Sequence, residues 1–90
     1  MKKILLIEDV ADTVELVSRI LTSRGYEFLH APDAETGLRS ALEFMPDLIL
    51  LDLGLPDYDG QTLAGWIHNE KILLSTPLIA FTAWPEETAR

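Results

Sequence analysis

Asp47-Leu48-Ile49-Leu50-Leu51-Asp52-Leu53-Gly54-Leu55-Pro56-Asp57-Tyr58-Asp59-Gly60 decides how this 90-residue chain is read. Its first half is a continuous apolar run, Leu48 to Leu51, that stops at Asp52. Such a run, without polar alternation, fits a strand buried on both faces, as in a parallel sheet. Its second half, Gly54 to Gly60, is a loop rich in turn residues. An acid therefore stands at the carboxyl end of a buried strand. Open parallel sheets bind their ligands outside those ends.

The same design recurs on both sides of this stretch. Upstream, Ile4-Leu5-Leu6-Ile7 is a short apolar run that ends at Glu8-Asp9. Val10, Val14, Val17, Ile20 and Leu21 then recur at helical spacing and predict a helix from about residue 11 to 24, with Gly25 as its stop. Asp12 and Glu15 have the spacing of a capping box. Tyr26 to His30 reads as a second strand, and Pro32-Asp33 as a turn and helix start. Leu38, Ala41, Leu42 and Met45 mark the apolar face of a second helix, closed by Pro46. Gly37 within it lowers helix propensity. Downstream, Leu63, Ala64 and Ile67 suggest a third helix of about three turns. Leu78 to Phe81 is a fourth strand that ends at Thr82, and Pro85-Glu86-Glu87 opens a further helix. Alternating strands and helices with crossover-length connections give an α/β class and a doubly wound parallel sheet.

Charge and composition narrow the function. Fifteen acidic against seven basic residues leave a net charge of −8, with 48% apolar residues. The apolar content predicts a packed core, and the length one domain. An acidic chain does not suit direct nucleic acid binding or an anionic membrane surface. No cysteine is present, which excludes disulfides, thiolate nucleophiles and Cys-based metal sites. The apolar start at Ile4 to Ile7 is too short for a signal peptide, and no run approaches spanning length, so the chain is read as cytoplasmic.

Three strands thus end in Glu8-Asp9, Asp52 and Thr82. Each alone has an ordinary reading. The acidic pair could start a helix, Asp52 could be a turn residue, and Thr82 a plain strand residue. Together they point to a shared cleft. Three carboxylates in one cleft repel each other unless their pKa values rise or a cation sits between them. A hard, oxygen-liganded cation such as Mg²⁺ meets that need.

At this point the sequence resembles the receiver domain of bacterial two-component response regulators, with its chemotaxis-protein-like fold. Lys3 to Asp9, Asp47 to Gly60 and Thr76 to Ala83 carry the resemblance. It implies a flavodoxin-like sheet of order 2-1-3-4, with a fifth strand to follow. It implies Asp52 as phosphoacceptor and Asp9 as a direct Mg²⁺ ligand, with Glu8 assisting and the Gly54 carbonyl as a further ligand. Thr82 would be the switch hydroxyl, and the Ala83 amide would face the phosphoryl group. The implied partners are a sensor histidine kinase or phosphotransfer protein and a downstream effector domain or protein. The domain would be a regulatory phosphoacceptor and not a turnover enzyme.

The chain departs from the family pattern at its end. The fifth strand, its terminal Lys and its aromatic switch residue are absent; Lys71 lies before the fourth strand and cannot substitute. Residues 1–90 are therefore read as a receiver domain cut at its C-terminal end, the alternative being a naturally short product. An unprotected fourth strand would pair with a second copy, exchange strands or aggregate. A degenerate, phosphorylation-independent interaction module is a competing reading. An Asp-nucleophile phosphatase is another, but it wants a second Asp two residues after the nucleophile, where Gly54 stands. His30 and His68 share no site in this reading and are taken as surface residues. Trp66 is expected to be half-buried beside Leu63 and Ile67. Asp57 and Asp59 suit a turn better than a calcium loop.

Overall fold

The computed structural model describes residues 2–81. The elements run β1 (Lys3–Ile7), α1 (Ala11–Ser23), β2 (Glu27–Ala31), α2 (Ala34–Phe44), β3 (Leu48–Asp52), α3 (Gly60–His68), a 3₁₀ turn (Lys71–Leu73) and β4 (Leu78–Phe81). All strand pairs are parallel and the order is β2-β1-β3-β4. This is the doubly wound α/β sheet that the sequence predicts. The expected helix start at Pro85 lies outside the described residues.

Strand chemistry sets the two faces. Leu5 and Ile7 of β1 join Ile49 and Leu51 of β3 in one buried cluster with Ala34, Ala41, Leu63 and Ile67 from α2 and α3. Ile4 and Leu6 alternate with them and face the other side, also buried. Right-handed crossovers that leave β1 and β3 in opposite directions put α1 on that other side. Each fully buried Leu or Ile contributes roughly 1.5–3 kcal/mol, so β1 and β3 anchor the fold.

Two local expectations change. No capping box forms at α1: Val10 is the N-cap without a side-chain bond. Glu8 Oε1 instead accepts from the Val10 N–H at 3.0 Å. That leaves Asp12 inside the first turn and Glu15 free to pair with Arg19. Gly37 proves to be a packing requirement. A Cβ there would lie 2.7 Å from Ile7 Cδ1, so α2 can approach β1 only over a bare backbone. At the end of α1, Gly25 takes φ +84, the left-handed conformation that stops a helix. Asp33 caps α2 as expected, accepting from the Thr36 N–H at 2.8 Å. Trp66 is half-buried and meets Tyr58 edge-on, with ring centroids 4.8 Å apart.

Candidate functional site

The chain leaves β1 toward β2 on one side and β3 toward β4 on the other. The crevice between β1 and β3 is thus the switch point of the sheet, at its carboxyl edge. Glu8 and Asp9 follow β1 directly, and Asp52 is the last residue of β3. One carboxylate oxygen from each lies within 4.8 Å of the others. The register explains the meeting: Ile7 pairs with Leu51, so the acids come next on neighbouring strands.

The three acids differ in environment. Glu8 is 0% and Asp52 2% exposed, while Asp9 faces solvent. Glu8 spends Oε1 on the Val10 N–H, and its Oε2 is buried with no hydrogen-bond partner among the described residues. Burial pushes the Glu8 carboxyl up to about 7; the Val10 N–H opposes that rise, and the close approach of the Asp52 carboxyl and then the charge of Asp9 add to it. A buried carboxylate oxygen left unsatisfied beside two further carboxylates is the donor set of a hard divalent cation. The residues therefore fit Mg²⁺, which Glu8, Asp9 and Asp52 together could hold.

The loop after β3 is shaped around this edge. The Gly54 N–H donates to Asp52 Oδ1 at 3.1 Å, so Gly54 sits beside the acid. The Gly60 N–H closes the loop on the Leu53 carbonyl at 3.0 Å. A Cβ at Gly60 would lie 2.7 Å from Leu53 Cα and 2.8 Å from the Asp52 carbonyl oxygen, so only glycine fits. Asp59 accepts from the Thr62 N–H at 2.7 Å and caps α3; that bond is the leading reason its carboxyl sits below the ordinary range.

Of the residues singled out from the sequence, Glu8, Asp9, Asp52 and Gly54 come together. Thr82 and Ala83 lie outside the described residues. One neighbour escaped the sequence reading. His30 is half-buried, and its Nε2 donates to the Glu8 carbonyl at 2.7 Å. The surface reading of His30 is thus corrected, while His68 is exposed on α3 as expected. The missing signal was register: Leu6 pairs with His30, which brings the imidazole beside the strand end.

A family model described as the response regulator receiver domain matches residues 4–90. The chain belongs to that family. As a receiver domain it is a phosphorelay signalling module and not a standalone enzyme. It is 36% identical over 86 residues to the alkaline phosphatase synthesis transcriptional regulatory protein PhoP of Bacillus subtilis, covering 96% of this chain and 35% of that protein. It is 31% identical over 83 residues to the polar-differentiation response regulator DivK of Brucella ovis, covering 92% and 68%. The receiver thus spans about a third of PhoP and about two thirds of DivK. Among solved structures, the N-terminal domain of a response regulator receiver protein from Methanoculleus marisnigri superposes with a TM-score of 0.87 at 27% identity, covering 94% of this chain and 69% of that one. A chain from the complex of histidine kinase ThkA with response regulator TrrA gives 0.84 at 31% identity, covering 96% and 72%. Among the described residues no helix is long and apolar enough to cross a membrane.

Proposed function

We propose that residues 1–90 belong to a receiver domain in which Asp52 accepts a phosphoryl group from a sensor histidine kinase or phosphotransfer protein. The observation that carries this is the convergence of Glu8, Asp9 and Asp52 within 4.8 Å at the sheet's carboxyl edge. An Asp52 oxygen bonds to phosphorus as the bond from phosphorus to the donor's imidazole nitrogen breaks, and that nitrogen regains a proton from solvent. Two anions must meet in this step. Mg²⁺, when bound, offsets their repulsion. Asp9 would ligate it directly and Glu8 would assist, with Asp52 and the Gly54 carbonyl completing the protein's share. Thr82 supplies the hydroxyl, and Ala83 the amide, that receive the phosphoryl oxygens. The kinase assignment is supported by the likeness to a complex that holds a histidine kinase with a response regulator.

The output follows from the same reading. Phosphorylation transmits a signal only if the two states differ in partner affinity. A downstream effector domain or protein is the receiver of that difference.

Intact-mass spectrometry before and after acetyl phosphate with Mg²⁺ tests the phosphoacceptor. One added phosphoryl group, absent in Asp52→Asn, is expected. Unchanged labelling of Asp52→Asn would contradict the assignment.

A further inference from the structure

The N-terminus of α2 is held from two directions. Asp33 caps it in the ordinary way, through the Thr36 N–H. The other acceptor comes from across the fold. Asp57, in the loop between β3 and α3, takes the Ala34 N–H on Oδ1 at 2.8 Å and the Glu35 N–H on Oδ2 at 3.1 Å. Its Oδ1 also accepts from the Tyr58 N–H at 3.0 Å, which fixes the carboxylate relative to its own loop.

We propose that Asp57 is a positioning residue, whose carboxylate clamps the β3–α3 loop to the N-terminus of α2 and so holds the main chain of Gly54 in place beside Asp52. This inference rests on the proposed role of the Gly54 carbonyl as a metal ligand.

The geometry gives Asp57 few other roles. It is exposed, so burial does not place it, and three main-chain donors converge on it instead. Desolvation alone would raise its carboxyl. The N–H bonds of Ala34, Glu35 and Tyr58 outweigh that and hold it below the ordinary range. The charge also complements the positive end of the α2 dipole. The loop is also tied by Gly54 to Asp52, Tyr58 against Trp66, Asp59 to Thr62 and Leu55 on the core, but among the described residues its hydrogen bonds to α2 are those of Asp57 alone. Leu53 is tied to the Phe81 carbonyl at 2.8 Å and Gly60 to Leu53, while the stretch between them is mostly exposed. Asp57 lies within that stretch. α2 is a firm support, since Ala34, Gly37 and Ala41 are buried against the sheet. A clamp on α2 therefore passes the rigidity of the core to the loop that carries Gly54. Outer groups that orient ligating groups tune metal affinity.

The test compares Asp57→Ala with Asp33→Ala in the full chain. Each removes one negative charge from the same helix end, Asp57→Ala taking the acceptors of two N–H groups and Asp33→Ala that of one, but only Asp57 touches the loop. Mg²⁺ affinity is read by titration calorimetry with MgCl₂, and loop order by amide exchange at Gly54. Asp57→Ala should weaken Mg²⁺ on the order of tenfold, the lower end for outer-shell changes, and speed exchange at Gly54. Asp33→Ala should stay within about twofold of wild type on both, because it leaves the ligand-bearing loop tied. Asp57→Asn, which keeps one acceptor oxygen, carries the same test if the alanine variant unfolds, with a smaller loss expected. Equal Mg²⁺ affinity and Gly54 exchange in wild type and the Asp57 variants would overturn the clamp and leave the phosphoacceptor reading intact. Equal losses in the Asp33 and Asp57 variants would also overturn it, showing only general destabilisation. A wild-type chain that binds no Mg²⁺ would overturn the metal-site reading, and the inference with it.

Discussion

The imidazole of His30 donates to the main-chain carbonyl of Glu8 at 2.7 Å, which ties the end of β2 to the first residue of the acidic cluster. The Glu8 N–H already donates to the Ala31 carbonyl at 3.0 Å, so both main-chain groups of Glu8 are engaged by β2. The carboxylate of Glu8 is thereby held with its backbone fixed.

Replacing His30 by Ala should therefore act at two levels. Stability should fall by about 1 kcal/mol, the usual net value of a partly buried hydrogen bond. Mg²⁺ affinity should fall severalfold, because the turn bearing Glu8 and Asp9 loses an outer support. Urea unfolding and MgCl₂ titration measure the two effects separately. A stability loss with unchanged Mg²⁺ affinity would confine His30 to a structural role.

Glycine substitutions should split by the space around them. Gly60→Ala forces a Cβ to 2.7 Å from Leu53 Cα and 2.8 Å from the Asp52 carbonyl, both main-chain atoms that cannot step aside. Overpacking of this kind costs about 1–3 kcal/mol, and it should also cut phosphorylation by moving Asp52. At Gly65, inside α3, an added Cβ would meet nothing within 4 Å among the described residues. Gly65→Ala should therefore stabilise by roughly 0.5–1 kcal/mol through helix propensity. Thermal unfolding of the two variants should move in opposite directions.

Gly37→Ala sits between these cases. The nearest atoms belong to the Ile7 side chain, at 2.7 to 3.0 Å. The propensity gain of about 1 kcal/mol opposes an overpacking loss of about 1–3 kcal/mol, so net destabilisation is expected. Ile7→Val removes the Cδ1 that lies closest. The double variant should then recover part of the loss, and a double-mutant cycle should give a favourable coupling above about 0.5 kcal/mol. Strict additivity would show that the helix simply shifts.

The fold was legible because its determinants are local. Three apolar runs of strand length, each ended by an acid or a hydroxyl, mark β1, β3 and β4, and Asp33 marks the start of α2 by cap chemistry alone. The acidic site was legible because parallel strands put consecutive carboxyl ends side by side, which gathers Glu8, Asp9 and Asp52 without any further information. What stayed hidden depends on partners distant in sequence. Asp57 looked like a turn residue until the Ala34 and Glu35 amides, more than twenty positions away, appeared beside it. His30 looked like a surface residue until register placed it against Glu8. The capping box at Asp12 failed for the same reason in reverse: spacing cannot tell which residue begins the helix when a strand-end acid has already taken the Val10 N–H.

The raised Glu8 carboxyl makes stability and metal binding depend on pH in a defined direction. Its value moves from 4.5 in the free residue to about 7 in the fold, burial being the largest cause. The folded state then holds a proton that the unfolded chain releases. Glu8 thus contributes stability that is fully present below about pH 4.5 and is lost as the pH rises through about 7. Metal-free protein should unfold at lower urea at pH 8 than at pH 5.5, and Glu8→Gln should flatten that window. Mg²⁺ needs the ionised carboxylate, so its affinity should rise with pH across the same range and its binding near pH 6 should release a proton. Calorimetry in two buffers of different ionisation enthalpy reads that proton directly. Binding without proton release at pH 6, together with a flat wild-type stability profile from pH 5 to 8, would show that Glu8 is already ionised in the folded, metal-free chain.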